Sequence, residues 1–194
     1  MNQLQFTDFE IEALISESTI SELYPWNTDD ENLIDQFYKT IFFDVARKIN
    51  VKFITDFDHY GSGYSSYIPT FFYNEKCKIK QLYPSYNQNY LGLEVYFCRL
   101  APYFIMLEHE YRWQQRQNHT ERFNGFPNQH KIDDINHAET RAIAQHLETL
   151  LSEFGLKRFN KESLNTSLNG KYQIRTVLND RAYSYFDALF HWED

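Results

Sequence analysis

Apolar positions recur along the chain with two different periods, and the switches between them mark out its elements. Leu33, Ile34, Phe37, Tyr38, Ile41, Phe42, Val45 and Ile49 return at three- and four-residue spacing and predict an amphipathic helix ending near Asn50. Thr28-Asp29-Asp30-Glu31 ahead of them reads as a capping box, a hydroxyl followed three residues on by a carboxylate. From Val51 the period drops to two. Val51, Phe53, Thr55 and Phe57 face one way and Lys52, Ile54 and Asp56 the other, as in a strand. Gly61-Ser62-Gly63 then breaks the pattern as a loop. Strand-like runs at 67–73 and 77–83 flank Asn74-Glu75-Lys76 and predict a hairpin. The apolar runs 90–100 and 103–113, parted by Ala101-Pro102, predict adjacent antiparallel strands at the centre of a sheet.

The remaining segments are less regular. Residues 6–15 fit either a short helix or a strand. Residues 114–129 are polar and read as a long loop. Asp133-Asp134 reads as the opening of a helix whose apolar face runs from Ile135 to Phe154 and which stops at Gly155. Tyr172, Ile174 and Thr176 fit an edge strand, and a last helix is expected from about Asn179. Helix, then a run of strands, then helices indicates the α+β class. The expected architecture is an antiparallel meander of four to five strands, packed by helices from the N- and C-terminal parts. The 194 residues are expected to form one domain, 1–194.

Composition adds a sign to this frame. The chain holds 27 Asp and Glu against 19 Lys and Arg, a formal charge of −8. Nucleic acid and anionic membranes need a cationic footprint, so neither is expected as a partner. A basic protein is, because an acidic face attracts and orients it. Aromatic residues make up 18% of the chain, enough to fill a bulky core and still leave Tyr and Trp for a contact surface. Cys77 and Cys98 are too few and too far apart for a disulfide framework. The first residues show no signal-peptide pattern, and a cytoplasmic location is expected.

No glycine-rich phosphate loop, nucleophile elbow or metalloprotease helix occurs. Two clusters carry the rival, hydrolytic reading. Asp133 and His137 stand four apart, where one helix face presents both as ligands. Glu108 and Glu110 share a strand face with Arg112, a spacing open to acid and base roles but also to ordinary ion pairing. Acids lying beside aromatics are the more distributed signal. They single out Asp56, Asp58, Tyr60, Glu108, Glu110, Tyr111 and Trp113 as partner-binding residues, with aromatic anchors and charge at the rim. No metal, cofactor or catalytic residue is assigned.

Tyr90-Leu91-Gly92-Leu93-Glu94-Val95 is followed by Arg99-Leu100-Ala101-Pro102-Tyr103. Near the end stand Thr176-Val177-Leu178 and Phe186-Asp187-Ala188-Leu189-Phe190-His191-Trp192-Glu193-Asp194. In and around these stretches, over about a quarter of its length, the chain resembles bacterial immunity proteins of polymorphic-toxin and contact-dependent inhibition systems. The resemblance implies a cytoplasmic, non-enzymatic inhibitor that binds one cognate toxin domain, a basic nuclease being one class that fits. No catalytic residue carries over from it.

Overall fold

In the computed structural model the described residues are 5–61, 63–79, 88–116, 119–122, 127–176 and 182–193. The chain begins with α1 (Asp8–Ile15) and α2 (Glu31–Ile49), then β1 (Lys52–Thr55), β2 (Tyr64–Ser65), β3 (Tyr67–Tyr73), β4 (Gln88–Cys98), β5 (Tyr103–Arg116) and β6 (His119–Arg122). After these come α3 (Ala138–Glu153), β7 (Lys157–Arg158), α4 (Lys161–Leu164), α5 (Tyr185–Leu189) and β8 (Trp192–Glu193). Among the described residues no helix is long and apolar enough to cross a membrane.

The main sheet runs β1-β3-β4-β5-β6, with β7 also beside β5. β4 and β5 lie in its interior, paired antiparallel from Gln88 opposite Trp113 to Phe97 opposite Phe104. The expected meander needs correction, because β7 pairs with β5 in parallel, at Tyr103↔Lys157 and Phe104↔Arg158. The sheet is therefore mixed. The parallel contact arises because the chain leaves β5, crosses back through α3, and re-enters along the same strand direction.

Residue alternation along β4 sorts the core into two layers. Leu93, Val95 and Phe97 turn to one face, where they cluster with Ile34, Tyr38, Ile41, Phe42 and Val45 of α2 and with Ile143, Leu147 and Leu151 of α3. Tyr96 and Cys98 turn to the other face, with Ile11 and Leu14 of α1 and with Tyr185, Phe186 and Leu189 of α5. Each fully buried side chain of this size contributes about 1.5–3 kcal/mol.

Local signals explain most element ends. Thr7 accepts from the Glu10 N–H while the Glu10 carboxylate takes the Thr7 N–H, a capping box that settles 6–15 in favour of helix. α2 is capped by Asp30, which accepts from Asn32 and Leu33, and not by Thr28. It ends at Asn50 in the left-handed region, φ 54°. α3 starts at Ala138, later than Asp133-Asp134 predicts. The reason is that the Asp133 N–H donates to the Met106 carbonyl and the Asp134 carbonyl accepts from the Glu108 N–H, so this segment is held against β5 and outside the helix. The loop expected at 114–129 is in part a hairpin, since β5 runs to Arg116 and pairs with β6. Glu75–Cys77 forms a 3-10 turn capped by Asn74, and the second strand expected after it lies largely at 80–83, outside the described residues. Residues 172–176 form no strand. The start of the last helix expected near Asn179 lies outside the described residues, and α5 begins at Tyr185.

Gly92 shows how tightly the second face is packed. A Cβ there would meet the Phe71 ring at 2.4 Å and the Phe72 carbonyl at 2.6 Å. The missing side chain lets Phe71 lie across β4 and reach the Tyr111 ring, 4.8 Å away. Gly92→Ala is expected to cost about 1–3 kcal/mol, because the Phe72 backbone cannot move aside. Urea unfolding of the two proteins measures it, and an unchanged midpoint would show that the strand relaxes freely.

Candidate functional site

One buried cation organises the end of the sheet where β1, β3 and β4 meet α2. Arg99 follows β4 directly and is only 2% exposed. Its guanidinium has five N–H donors in a fixed fork. Nε donates to Asp35 Oδ1 at 3.0 Å, and Nη2 to Asp35 Oδ2 at 3.4 Å. Nη1 donates to the carbonyls of Ser65 and Tyr67 at 2.9 and 3.0 Å, and Nη2 to that of Phe57 at 3.0 Å. Every donor is used. The helix contributes Asp35 and, one turn earlier, Glu31, whose carboxylate stands 3.5 Å from Nε. The rest is a clamp on backbone, and what it clamps is the loop between β1 and β3.

That loop carries unusual backbone. His59 and Tyr60 lie at φ 50° and 60°, and Gly61 follows at 84°. A non-glycine residue there costs of the order of 1 kcal/mol or more and persists only where its surroundings impose it. The surroundings are visible. His59 Nδ1 accepts the Ser65 N–H at 2.9 Å, so the proton sits on Nε2 and points at Glu31 Oε1, 2.8 Å away. The C-terminal strand closes the other side, with β8 paired to β2 and the Ser66 hydroxyl bonded at the Leu189 and His191 carbonyls, 3.0 and 3.1 Å.

Two depressions flank the loop. On one side a cavity of about 220 Å³ is lined by Glu17, Asp29, Glu31, Tyr64 and Arg99. Burial, with Glu193 and Glu31 nearby, raises the Glu17 carboxyl above its usual range, though Arg175 opposes this. On the other side an open depression of about 530 Å³ is lined by Lys39, Asp56, Phe57, Asp58 and Tyr60. Asp56 folds its carboxylate back onto the Asp58 N–H at 2.7 Å. Lys39 covers the Phe57 ring at 4.5 Å.

The sequence-predicted binding residues therefore separate. Asp56, Asp58 and Tyr60 come together on the clamped loop. Glu108, Glu110, Tyr111 and Trp113 lie on β5, with β3 and β4 between them and β1. Glu108 serves the fold: His137 at the head of α3 makes no side-chain cap of its own, and Glu108 takes its N–H at 3.0 Å, its ring at 2.8 Å and the Thr140 hydroxyl. Burial opposes that charge, but these donors outweigh it and hold the carboxyl below its usual range. Glu110 pairs with Arg112 at 2.7 Å. Tyr111 is buried on the opposite face, and the Trp113 side chain lies outside the described residues.

The rival cluster is also dispersed. Asp133 is outside the helix and bonds Arg158 at 2.6 Å and the Lys161 N–H at 2.8 Å. Among the described residues no three His, Cys, Asp or Glu side chains gather as metal ligands. Cys77 is buried in spite of its lysine neighbours, and burial raises its thiol. Cys98 is pushed up to about 12 by burial.

A second titratable group escaped the sequence. Glu94 is 2% exposed on the second face of β4, and burial pushes its carboxyl up to about 7 although Tyr96 donates to it. His109 Nδ1 stands 3.6 Å away. Burial, with Lys131 and Arg112 nearby, lowers the His109 pKa, so it lends Glu94 little compensating charge. Alternation does place Glu94 among core positions, which was the available signal. No family model matches the chain, and comparison with curated proteins and with solved structures yields no match.

Arg99→Met is expected to cost about 3–5 kcal/mol, since it strands a carboxylate and three carbonyls. Arg99→Lys, with three donors and no fork, should restore only part. Equilibrium unfolding measures both, and a loss within error for Arg99→Met would dismiss the clamp. Glu94 has its own signature. Its folded pKa lies above the unfolded value of 4.5, so the native state holds the proton longer. Stability should fall as pH rises from 4.5 to about 7, by on the order of 3 kcal/mol, then level off. Comparing unfolding at pH 5 and pH 8 for the native chain and Glu94→Gln tests this; parallel curves would refute it.

Proposed function

We propose that this chain is an immunity-type protein that binds and neutralises a cognate bacterial toxin domain, with the loop carrying Asp56, Asp58 and Tyr60 at the centre of its contact surface. One observation carries the reading: the loop presents its acids on a backbone held in advance by Arg99. A partner that docks there meets charge already in place, and little ordering entropy is lost on binding. The net charge of −8 favours a basic partner, for which a basic nuclease is a suitable class. The acid-lined cavity across the loop extends the same sign. Phe43, 68% exposed beside Phe53, offers an apolar anchor at the same edge.

The β5 acids have no place in this surface, because Glu108 caps a helix and Glu110 is paired. The proposal rests on the loop and on the resemblance to immunity proteins, and it takes the toxin to be encoded directly upstream. The purified chain is expected to form a one-to-one complex with that product and to protect cells from it. Asp58→Lys should slow association about tenfold at low salt, with the difference shrinking as salt is added. Stopped-flow mixing at several ionic strengths reads this. Lack of any complex would end the toxin reading, and an unchanged rate would remove the loop from the interface.

A further inference from the structure

The outer edge of β1 carries a second, independent interaction. Among the described residues β1 pairs only with β3, so its other side presents open backbone. The Asp56 N–H donates to the Pro69 carbonyl at 3.1 Å, which makes 56 and 69 a hydrogen-bonded pair. Antiparallel ladders alternate, so Thr55 and Thr70 form a non-hydrogen-bonded pair, and the close approach of their hydroxyls, 2.9 Å, agrees. It follows that Phe53 and Thr55 aim both N–H and C=O away from the sheet.

An open edge of this kind is a template for another strand. We propose that a second copy of this chain supplies it, β1 against β1, antiparallel about a two-fold axis at Ile54. The strand is complementary to itself in that register. Phe53 faces Thr55 of the second copy and Thr55 faces its Phe53, so the outward groups meet as two hydrogen-bonded pairs. Ile54 faces Ile54. Lys52 then stands opposite Asp56 of the second copy, twice over, because a two-fold axis repeats each contact. Lys52 is 61% exposed and bonds Glu75 at 2.6 Å, which leaves its ammonium further donors for Asp56. The exposed Phe43 ring, 5.2 Å from Phe53, lies where the second copy would shelter it. The dimer covers Asp56, so it and the toxin-bound state exclude one another, but the proposal itself needs no toxin.

Sedimentation equilibrium of the purified chain over a concentration series tests it. The expected result is a mass rising from the monomer value of 23.5 kDa towards twice that. Thr55→Pro removes an outward N–H that no described residue accepts, together with the hydroxyl contact to Thr70, whereas Thr55→Val removes the hydroxyl alone; association is expected to be lost in the first and kept in the second, with circular dichroism checking the fold of both. Lys52→Glu and Asp56→Lys should each weaken association about tenfold, because each reversal acts twice. Combining them restores the opposite charges and should return the dimer. A monomer at every concentration overturns the proposal. So does a dimer indifferent to Thr55→Pro and to both reversals, or a double reversal that rescues nothing.

Discussion

The end of the molecule that carries Asp56 and Asp58 depends on five N–H bonds from one arginine. A guanidinium at 2% exposure is tolerable only when each donor finds an acceptor, because an unpaired buried donor costs about 1–3 kcal/mol and more when charged. Arg99 meets that demand with one carboxylate from α2 and three carbonyls from the β1–β3 connection. Neighbouring bonds reinforce it. Tyr38 of α2 donates to the Cys98 carbonyl at 2.7 Å, and the Arg99 N–H donates to Ser66 at 2.7 Å. Helix, sheet and loop thus converge on Cys98 and Arg99, two consecutive residues where β4 ends.

The acids illustrate how one residue type divides between tasks. Glu108 projects towards the start of α3 and takes the His137 N–H and the Thr140 hydroxyl, so its charge is spent on the fold. Asp56 and Asp58 lie past the last residue of β1, where the Asp56 carboxylate takes the Asp58 N–H within the loop itself. Glu94 points into the opposite layer, where burial raises its carboxyl in spite of the Tyr96 hydroxyl and the nearby imidazole supplies little charge, so it keeps its proton further up the pH scale. Strand parity and position in the sheet order decide these outcomes.

Parity and period were also what the sequence made legible. The α2 stripe and the β4–β5 pair announce themselves because their burial is continuous and their periods are clean. Three readings failed for physical reasons. Asp133-Asp134 looks like a helix start, but its backbone is captured by β5, a contact between distant parts of the chain. Residues 114–122 are polar enough for a loop, yet antiparallel pairing asks little of side chains at a sheet margin. The parallel β7 is two residues long and leaves no pattern. Acids beside aromatics singled out Asp56, Asp58 and Tyr60, which the chain carries on one short connection. Arg99 gives no such signal, because a lone arginine after an apolar strand resembles any solvated strand end, and its partners sit 32 to 64 residues away.

The clamp on the loop has a further consequence. Arg99 grips carbonyl oxygens, which every residue type supplies. Substitutions at 56, 58 and 64 leave those anchor bonds in place. A loop fixed through its main chain can exchange its displayed side chains one at a time while its path stays put. Selection can thus retarget the surface in small steps, with each new set of side chains inheriting a frame that already folds.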